Sequence, residues 1–320
     1  MQRDNADSEL KGLGWLFLLS MIAHILMSVG ITLLDGKGLT LPVEVSLVIS
    51  ELTILIPSAI YILIKRSDFK TDLGFRPIKA GSVLMCILLS VLVTPLASFV
   101  NVLSQLFVEN TMVQMSDSLT GGSNAIVLFL AAVYGPFCEE FMFRSIFARG
   151  YEKHEGPMRA ALISALFFAL AHMNVNQAAY AFVLGVVFAI VNKAADSVYP
   201  SIILHICVNG ANMLLLFVMT AAAKYAGDGV DLAESAEAAR KGNAIYVLLG
   251  VTLIGALIST AIAVPCVVWL SKHEGRFEGL KEMFTVKHER KNWINVPTVL
   301  ALLIMLFVMF GLDPVLSALG

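Results

Sequence analysis

Residues 244–270 read AIYVLLGVTLIGALISTAIAVPCVVWL, a run that contains no charged side chain. A helix of this length is about 40 Å long at 1.5 Å per residue, which is enough to cross a hydrocarbon core about 30 Å thick. The 320-residue chain is 58% hydrophobic and only 14% charged, so such runs dominate it. This composition excludes a disordered chain and an ordinary soluble enzyme.

Eight further apolar runs of the same kind lie along the chain. They predict an all-α fold, a polytopic transmembrane helical bundle of about eight or nine helices. The fifth and sixth runs are too short to cross a bilayer upright, which favours a tilt or burial within the protein. The predicted spans are 13–34, 43–64, 81–108, 123–147, 159–173, 177–192, 198–222, 244–270 and 294–311.

The basic residues of the loops fall mainly on one side of the predicted membrane. Seventeen of the 22 Lys and Arg lie on the side of the N-terminus, and four lie on the other side. Because cytoplasmic loops carry the excess, we predict a multi-pass protein of the cell membrane, surrounded by membrane lipids, with its N-terminus in the cytosol. The net charge of −2 argues against a nucleic-acid partner, which requires a basic surface.

Two loops are longer than the others. Residues 223–243 are predicted to lie outside, and Asp231 with Glu234 three residues later indicates a capping box that begins a short amphipathic helix. Residues 271–293 are predicted to lie inside as a solvated helix or connector. A gate over a cavity is the alternative interpretation of both loops.

Seven Glu, Arg and His side chains lie within the predicted spans, beyond the first turn of each span. A charge at the bilayer centre costs at least about 2.5–3.5 kcal/mol, so each of them is a candidate for a functional role. Five of the seven fall between residues 139 and 205, which indicates one polar cavity, and the other two receive no role. The seven are His24, Glu51, Glu139, Glu140, Arg144, His172 and His205.

The fourth span contains GPFCEEFMFR at residues 135–144. Pro136 removes a helical hydrogen bond, so a kink or a local opening is expected just before the glutamates. Consecutive helical residues point about 100° apart, so Glu139 and Glu140 cannot share one role. Because Glu140 and Arg144 are four residues apart with the acid first, Glu140 is predicted to neutralise Arg144. Glu139 is then predicted to face a cavity as a general base. A purely structural network of the three residues is the alternative.

Two further segments carry polar side chains on apolar helices. FALAH at residues 168–172 ends in His172, and HICVN at residues 205–209 places His205 and Asn209 on one helix face. The simpler interpretation is a hydrogen-bonded core histidine with polar contacts between helices. As a set with Glu139, however, these residues could perform hydrolysis. The glutamate can take a proton from water that His172 orients, while the His205 and Asn209 pair donates to an oxyanion.

Functions other than hydrolysis have less support in the sequence. The sequence offers no competing Ser/His/Asp arrangement and no H-E-x-x-H zinc motif. A non-enzymatic transporter, or an immunity or scaffold protein that binds a peptide in the same cavity, is the main alternative, since proton-coupled transporters also bury Glu, His and Arg. The inverted repeats that would support transport are not evident.

Three motifs occur in order, each on its own apolar segment. They are Glu139-Glu140-x-x-x-Arg144, Phe168-x-x-x-His172 and His205-x-x-x-Asn209. Their combination resembles the CAAX protease and bacteriocin-processing family of intramembrane proteases, abbreviated CPBP or ABI. The resemblance extends over about residues 123–222, and the flanking spans fit the family's helical architecture only generically.

The resemblance implies an intramembrane endopeptidase that hydrolyses peptide bonds of membrane-associated peptides or proteins. Glu139 would match the catalytic glutamate, which activates water with help from His172. His205 and Asn209 would match the oxyanion-stabilising pair, and Glu140 with Arg144 the supporting positions. The substrate stays open among a prenylated C-terminus, a leader peptide, a bacteriocin precursor and a signalling peptide.

The family is often labelled metalloprotease, which leaves a cofactor open. A glutamate-activated water without a cofactor is the preferred version, and zinc bound by Glu139, His172 and His205 is the alternative. The predicted regions are a cytosolic N-terminal tail at 1–12, N-terminal transmembrane helices at 13–122, a CPBP-like catalytic core at 123–222, and an outside loop with C-terminal transmembrane helices at 223–320.

Overall fold

The computed structural model describes residues 2–226, 231–286 and 292–319, with side chains described over 6–225, 231–286 and 292–311. This part of the chain is all-helical. Seven helices are long and apolar enough to cross a membrane, and two shorter apolar helices, Pro157–Ala171 and Val296–Gly311, match the other two predicted spans. The predicted fold class is therefore confirmed.

Two short helices, Thr111–Gln114 and Ser116–Thr120, lie between the third and fourth long helices. The remaining elements are α1 (Gln2–Asp35), α2 (Val43–Lys65), α3 (Ala80–Ser104), α4 (Asn124–Glu155), α5 (Pro157–Ala171), α6 (Val175–Ala195), α7 (Tyr199–Ala226), α8 (Leu232–Lys241), α9 (Ala244–His273), α10 (Phe277–Thr285) and α11 (Val296–Leu319).

Helix α4 is the most enclosed of the seven long apolar helices. In its most apolar window 56% of the residues are buried, against 17% in α2 and in α9. The exposed side of α9 carries Val251, Ile254 and Ile258, which suit a lipid surface. Polar side chains on α4 are therefore surrounded by protein, which can supply the partners that lipid cannot.

An aromatic cluster joins α1, α4 and α5. Phe17 stacks on Phe167 with ring centroids 4.3 Å apart, and Phe147 packs edge-on against both rings. All three side chains are fully buried. Burial of one such side chain stabilises a protein in water by about 1.5–3 kcal/mol. In lipid, van der Waals contacts between the rings replace part of this hydrophobic gain. The cluster therefore fixes α4 relative to α1 and α5.

The two spans predicted to be short differ from each other. Helix α5 has only 15 residues, of which most are buried, so it lies within the protein as the sequence indicated. The prediction for the sixth span, 177–192, was too short: helix α6 has 21 residues, which is enough to cross a bilayer. The Asn174 side chain caps its first turn, and Asp196 ends it in a left-handed conformation with φ of 50°.

Helix α1 begins at Gln2 and runs through the segment predicted as a tail. Ala6, Leu10, Leu13 and Phe17 are buried at spacings of four, three and four residues, which is one face of a helix. The charged residues between them lower the local hydropathy, so hydropathy alone does not indicate this buried face. The cytosolic location of this segment stays a prediction.

The two longer loops contain the expected short helices. Helix α8 begins after Asp231, whose Oδ1 accepts hydrogen bonds from the N–H groups of Ala233 (2.7 Å) and Glu234 (3.2 Å), so the predicted helix start is confirmed. Helix α10 lies in the second loop, with Leu280 and Met283 buried. Positions 227–230 and 287–291 of these loops lie outside the described residues.

Candidate active site

Helix α4 presents Glu139 and Glu140 from a short α-helical stretch between two π-helical stretches. Gly135–Glu140 is α-helical, whereas Leu130–Tyr134 before it and Phe141–Ala148 after it are π-helical. Pro136 has no N–H to donate, and a shift to the wider π register accommodates it. The opening predicted before the glutamates is therefore present, and a second one follows them. Such π stretches frequently occur at functional sites.

Glu140 and Arg144 form the ion pair that the sequence predicted. Glu140 Oε2 lies 3.4 Å from Arg144 Nε, and both side chains are fully buried. The guanidinium also lies over the ring of Phe168 at 4.2 Å and near that of Phe188 at 5.4 Å. Its nitrogens have no hydrogen-bond partner among the described residues. Charge compensation and ring stacking thus hold Arg144 in place.

His205 of α7 lies between the two glutamates. Its Nδ1 is 3.0 Å from Glu140 Oε1, and its Nε2 is 3.5 Å from Glu139 Oε2. A carboxylate can only accept, so Nδ1–H donates to Glu140 and Nε2 is directed towards Glu139. The Glu139 side chain is 18% exposed and that of Glu140 is 0%. The two adjacent carboxylates therefore occupy different surroundings, as their helical spacing predicted.

His172 follows the last residue of α5 and is connected to His205 through the ring of Phe168. Its Nδ1 lies 2.9 Å from the carbonyl oxygen of Phe168, so Nδ1–H donates and Nε2 keeps a free lone pair. The Phe168 ring contacts His172 and His205 edge-on, with centroids 5.0 and 5.7 Å away. No hydrogen bond or ion pair joins His172 to Glu139 among the described residues.

The turn that carries His172 is fixed by Asn174, a residue that the sequence analysis missed. Asn174 Nδ2 donates to the carbonyl oxygen of His172 at 2.8 Å. Its Oδ1 accepts from the backbone N–H of Gln177 at 2.8 Å and from the hydroxyl of Thr111 at 3.0 Å. An Asn just before an apolar run is a typical N-cap, so a search for helix starts could have found it.

We expect Asn174→Ala to lower the free energy of unfolding by about 1–2 kcal/mol, because it removes a helix cap and a bond that holds the His172 turn. The matched control is Asn243→Ala, because Asn243 occupies the same position before α9 without a side-chain capping bond. Thermal unfolding in detergent measures the difference, and equal midpoints for the two variants would contradict the role of Asn174.

Asn209 lies one turn after His205 and contacts the first π-helical stretch. Its Nδ2 donates to the carbonyl oxygen of Ala131 at 3.3 Å. The structure thus brings Glu139, Glu140 and His205 together directly. The other two predicted catalytic residues are connected less directly, His172 through the ring of Phe168 and Asn209 through the backbone of the first π-helical stretch.

The described part of the chain shows no metal cluster, and it contains a cavity near these residues. No group of three or more His, Cys, Asp or Glu side chains is placed to hold a metal ion there. Glu139, His172 and His205 therefore do not fit a zinc site in this arrangement. A cavity of about 40 Å³ does border Arg144, and its lining includes Arg149, Asn192 and Lys193 on the side predicted to face the cytosol.

Comparison with known proteins agrees with this central region. Residues 121–211 match the family model described as type II CAAX prenyl endopeptidase Rce1-like. This model is one of the CPBP family, and it matches 91 of the 320 residues. The segment comprises α4, α5, α6 and the first part of α7, so it includes every residue of the three motifs. Neither a curated protein nor a solved structure matches the chain.

The match over residues 121–211 supports an intramembrane CAAX-type endopeptidase in general. It does not include α1 and α2, although both helices carry polar side chains within their apolar spans. On α1, His24 Nδ1 lies 2.9 Å from the hydroxyl oxygen of Thr53 on α2. On α2, Glu51 lies against α4, where an ideal Cβ on Gly135 would be 3.3 Å from Glu51 Oε1.

Proposed function

We propose that this protein is an intramembrane endopeptidase that hydrolyses peptide bonds of membrane-associated peptides or proteins with a water activated by Glu139. The observation that carries the proposal is His205 between the two adjacent glutamates. One carboxylate, Glu140, is buried and paired with Arg144, whereas the other is partly exposed. This division is what a general base beside a structural partner requires.

The reaction can be followed through its protons. Glu139 takes a proton from water as the water oxygen bonds to the substrate carbonyl carbon. His172 offers a free Nε2 lone pair with which to orient that water. When the tetrahedral intermediate collapses, the carbon–nitrogen bond breaks and the proton passes from Glu139 to the leaving amine. The site thereby returns to its starting state.

The developing oxyanion needs donors of fixed direction. When its ring carries two protons, His205 can donate from Nε2–H while Nδ1–H stays on Glu140. Asn209, one turn later on α7, would supply a second donor by leaving the Ala131 carbonyl. The basic loops would place this chemistry near the cytosolic face of the cell membrane.

The experiment compares membranes that contain the wild type with membranes that contain Glu139→Ala. A farnesylated CAAX peptide serves as the first probe, and mass spectrometry of new peptide termini extends the comparison to other membrane-associated substrates. Products should appear with the wild type and with the control Glu278→Ala, since Glu278 is 84% exposed on α10. Undiminished cleavage by Glu139→Ala would overturn the proposal, and binding without cleavage by the wild type would favour the transporter or scaffold alternative.

A second arm addresses the zinc alternative. We propose that no metal takes part, so cleavage should continue in strong chelators at the rate found without them. Elemental analysis of the same protein shows whether zinc has been removed. Loss of cleavage with the zinc, and its return when zinc is restored, would instead support the metal-dependent version.

A further inference from the structure

Glu51 presses its carboxyl group against the helix face that carries Glu139. A Cβ on Gly135 would lie 3.3 Å from Glu51 Oε1, so the glycine leaves room for the carboxyl group. Gly135 and Glu139 are four residues apart in the α-helical stretch and lie on one face. Glu51 and Glu139 also interact electrostatically. The geometry thus adds a carboxyl group from α2 to a site built by α4, α5 and α7.

This carboxyl group has no positive partner in the described part of the chain. Its Oε2 is buried without a hydrogen bond, and no Lys, Arg or His there forms an ion pair with it. The titratable groups of α4 that interact with Glu51 are Tyr134, Cys138 and Glu139, and none is a cation. On α1, His24 pairs with Thr53, which lies two residues further along α2 and on another face.

Two neighbouring carboxyl groups in such surroundings behave as a pair. An ionised carboxylate removed from water without a partner costs many kcal/mol, and two close carboxylates cannot both ionise readily. Paired carboxyl groups in enzymes solve this by sharing one proton. Such a pair releases its two protons in two steps, and neither step can be assigned to one carboxyl group alone.

We propose that Glu51 is a positioning residue that holds one proton beside Glu139 and so leaves Glu139 free to act as the base. This inference rests on the proposed peptidase function. The proton on Glu51 stays there through the cycle, while the proton taken from water travels through Glu139 to the leaving amine. If Glu51 also ionised, a second negative charge would stand near the developing oxyanion and oppose its formation.

The first test measures cleavage of the farnesylated CAAX peptide as a function of pH. The kcat of the wild type should fall at least about tenfold as the pH rises and the pair of Glu51 and Glu139 loses its last proton. Glu51→Gln keeps the size of the side chain but cannot ionise, so the alkaline loss should shrink to about threefold or less. Tyr134→Phe should keep the loss, which excludes the phenol as its source. An unchanged alkaline loss in folded Glu51→Gln would overturn the inference.

The second test needs no substrate. Infrared spectroscopy near neutral pH should show the carbonyl band of a protonated carboxyl group in the wild type and in Glu278→Gln, and this band should be lost in Glu51→Gln. Glu51→Asp, which keeps an acid, should retain it. A band that persists in Glu51→Gln would overturn the inference whatever the peptide assay gives. Wild-type protein that shows the band but cleaves nothing would contradict the proposed function alone.

Discussion

Glu139→Gln is expected to lower kcat for peptide cleavage by about 10²–10⁴-fold, the usual contribution of a positioned general base. The amide has the size of the carboxylate but cannot accept the proton of water. The free energy of unfolding should change little, because Glu139 is partly exposed and its one close ionic contact in the described region is His205 at 3.5 Å. KM should also stay near the wild-type value, since the lost interaction is one made in the transition state.

The measurement is steady-state cleavage of a quenched farnesylated CAAX peptide by protein in lipid nanodiscs. Glu278→Gln makes the same chemical change on an exposed helix and should match the wild type. Thermal unfolding of each variant separates a loss of chemistry from a loss of folded protein. A folded Glu139→Gln that retains kcat within about threefold would show that another group activates the water.

The sequence predicted those features of the site that depend on neighbours within one helix. The division between Glu139 and Glu140 follows from 100° per residue, and the ion pair of Glu140 with Arg144 follows from their spacing of four. Both are found, even though the pair spans the junction with a π-helical stretch. The nine apolar segments follow from composition in the same local way.

Features that depend on contacts between distant segments could not be predicted. His205 Nδ1 meets Glu140 across 65 residues, and the Glu51 carboxyl meets α4 across more than 80. Their approach is decided by how α2, α4 and α7 pack, which one sequence does not reveal. The spacing HxxxN therefore indicated a shared face for His205 and Asn209, but not that Asn209 would bind the Ala131 carbonyl.

The Arg144→Met variant is expected to lose about 3–5 kcal/mol of the free energy of unfolding, the usual cost of removing one partner of a buried ion pair. Met fills a similar volume but leaves Glu140 as a buried carboxylate without a cation beside it, and its described partners are then His205 and Ser201. The contact of the guanidinium with the Phe168 ring at 4.2 Å is lost as well. Lysine should rescue only in part, because it lacks the planar group that stacks on a ring.

A double-mutant cycle with Glu140→Gln tests the cause of this loss. If the stranded charge of Glu140 dominates, the double variant should be more stable than Arg144→Met, since a buried pair replaced as a whole is often tolerated. Lys281→Met provides the control, because Lys281 pairs with exposed Glu278 at 3.7 Å and such surface pairs contribute about 0–1 kcal/mol. Chemical unfolding in detergent gives the four stabilities of the cycle. Additive losses would mean that Arg144 stabilises α4 through Phe168 and not through Glu140, and the support that positions His205 would then have to come from elsewhere.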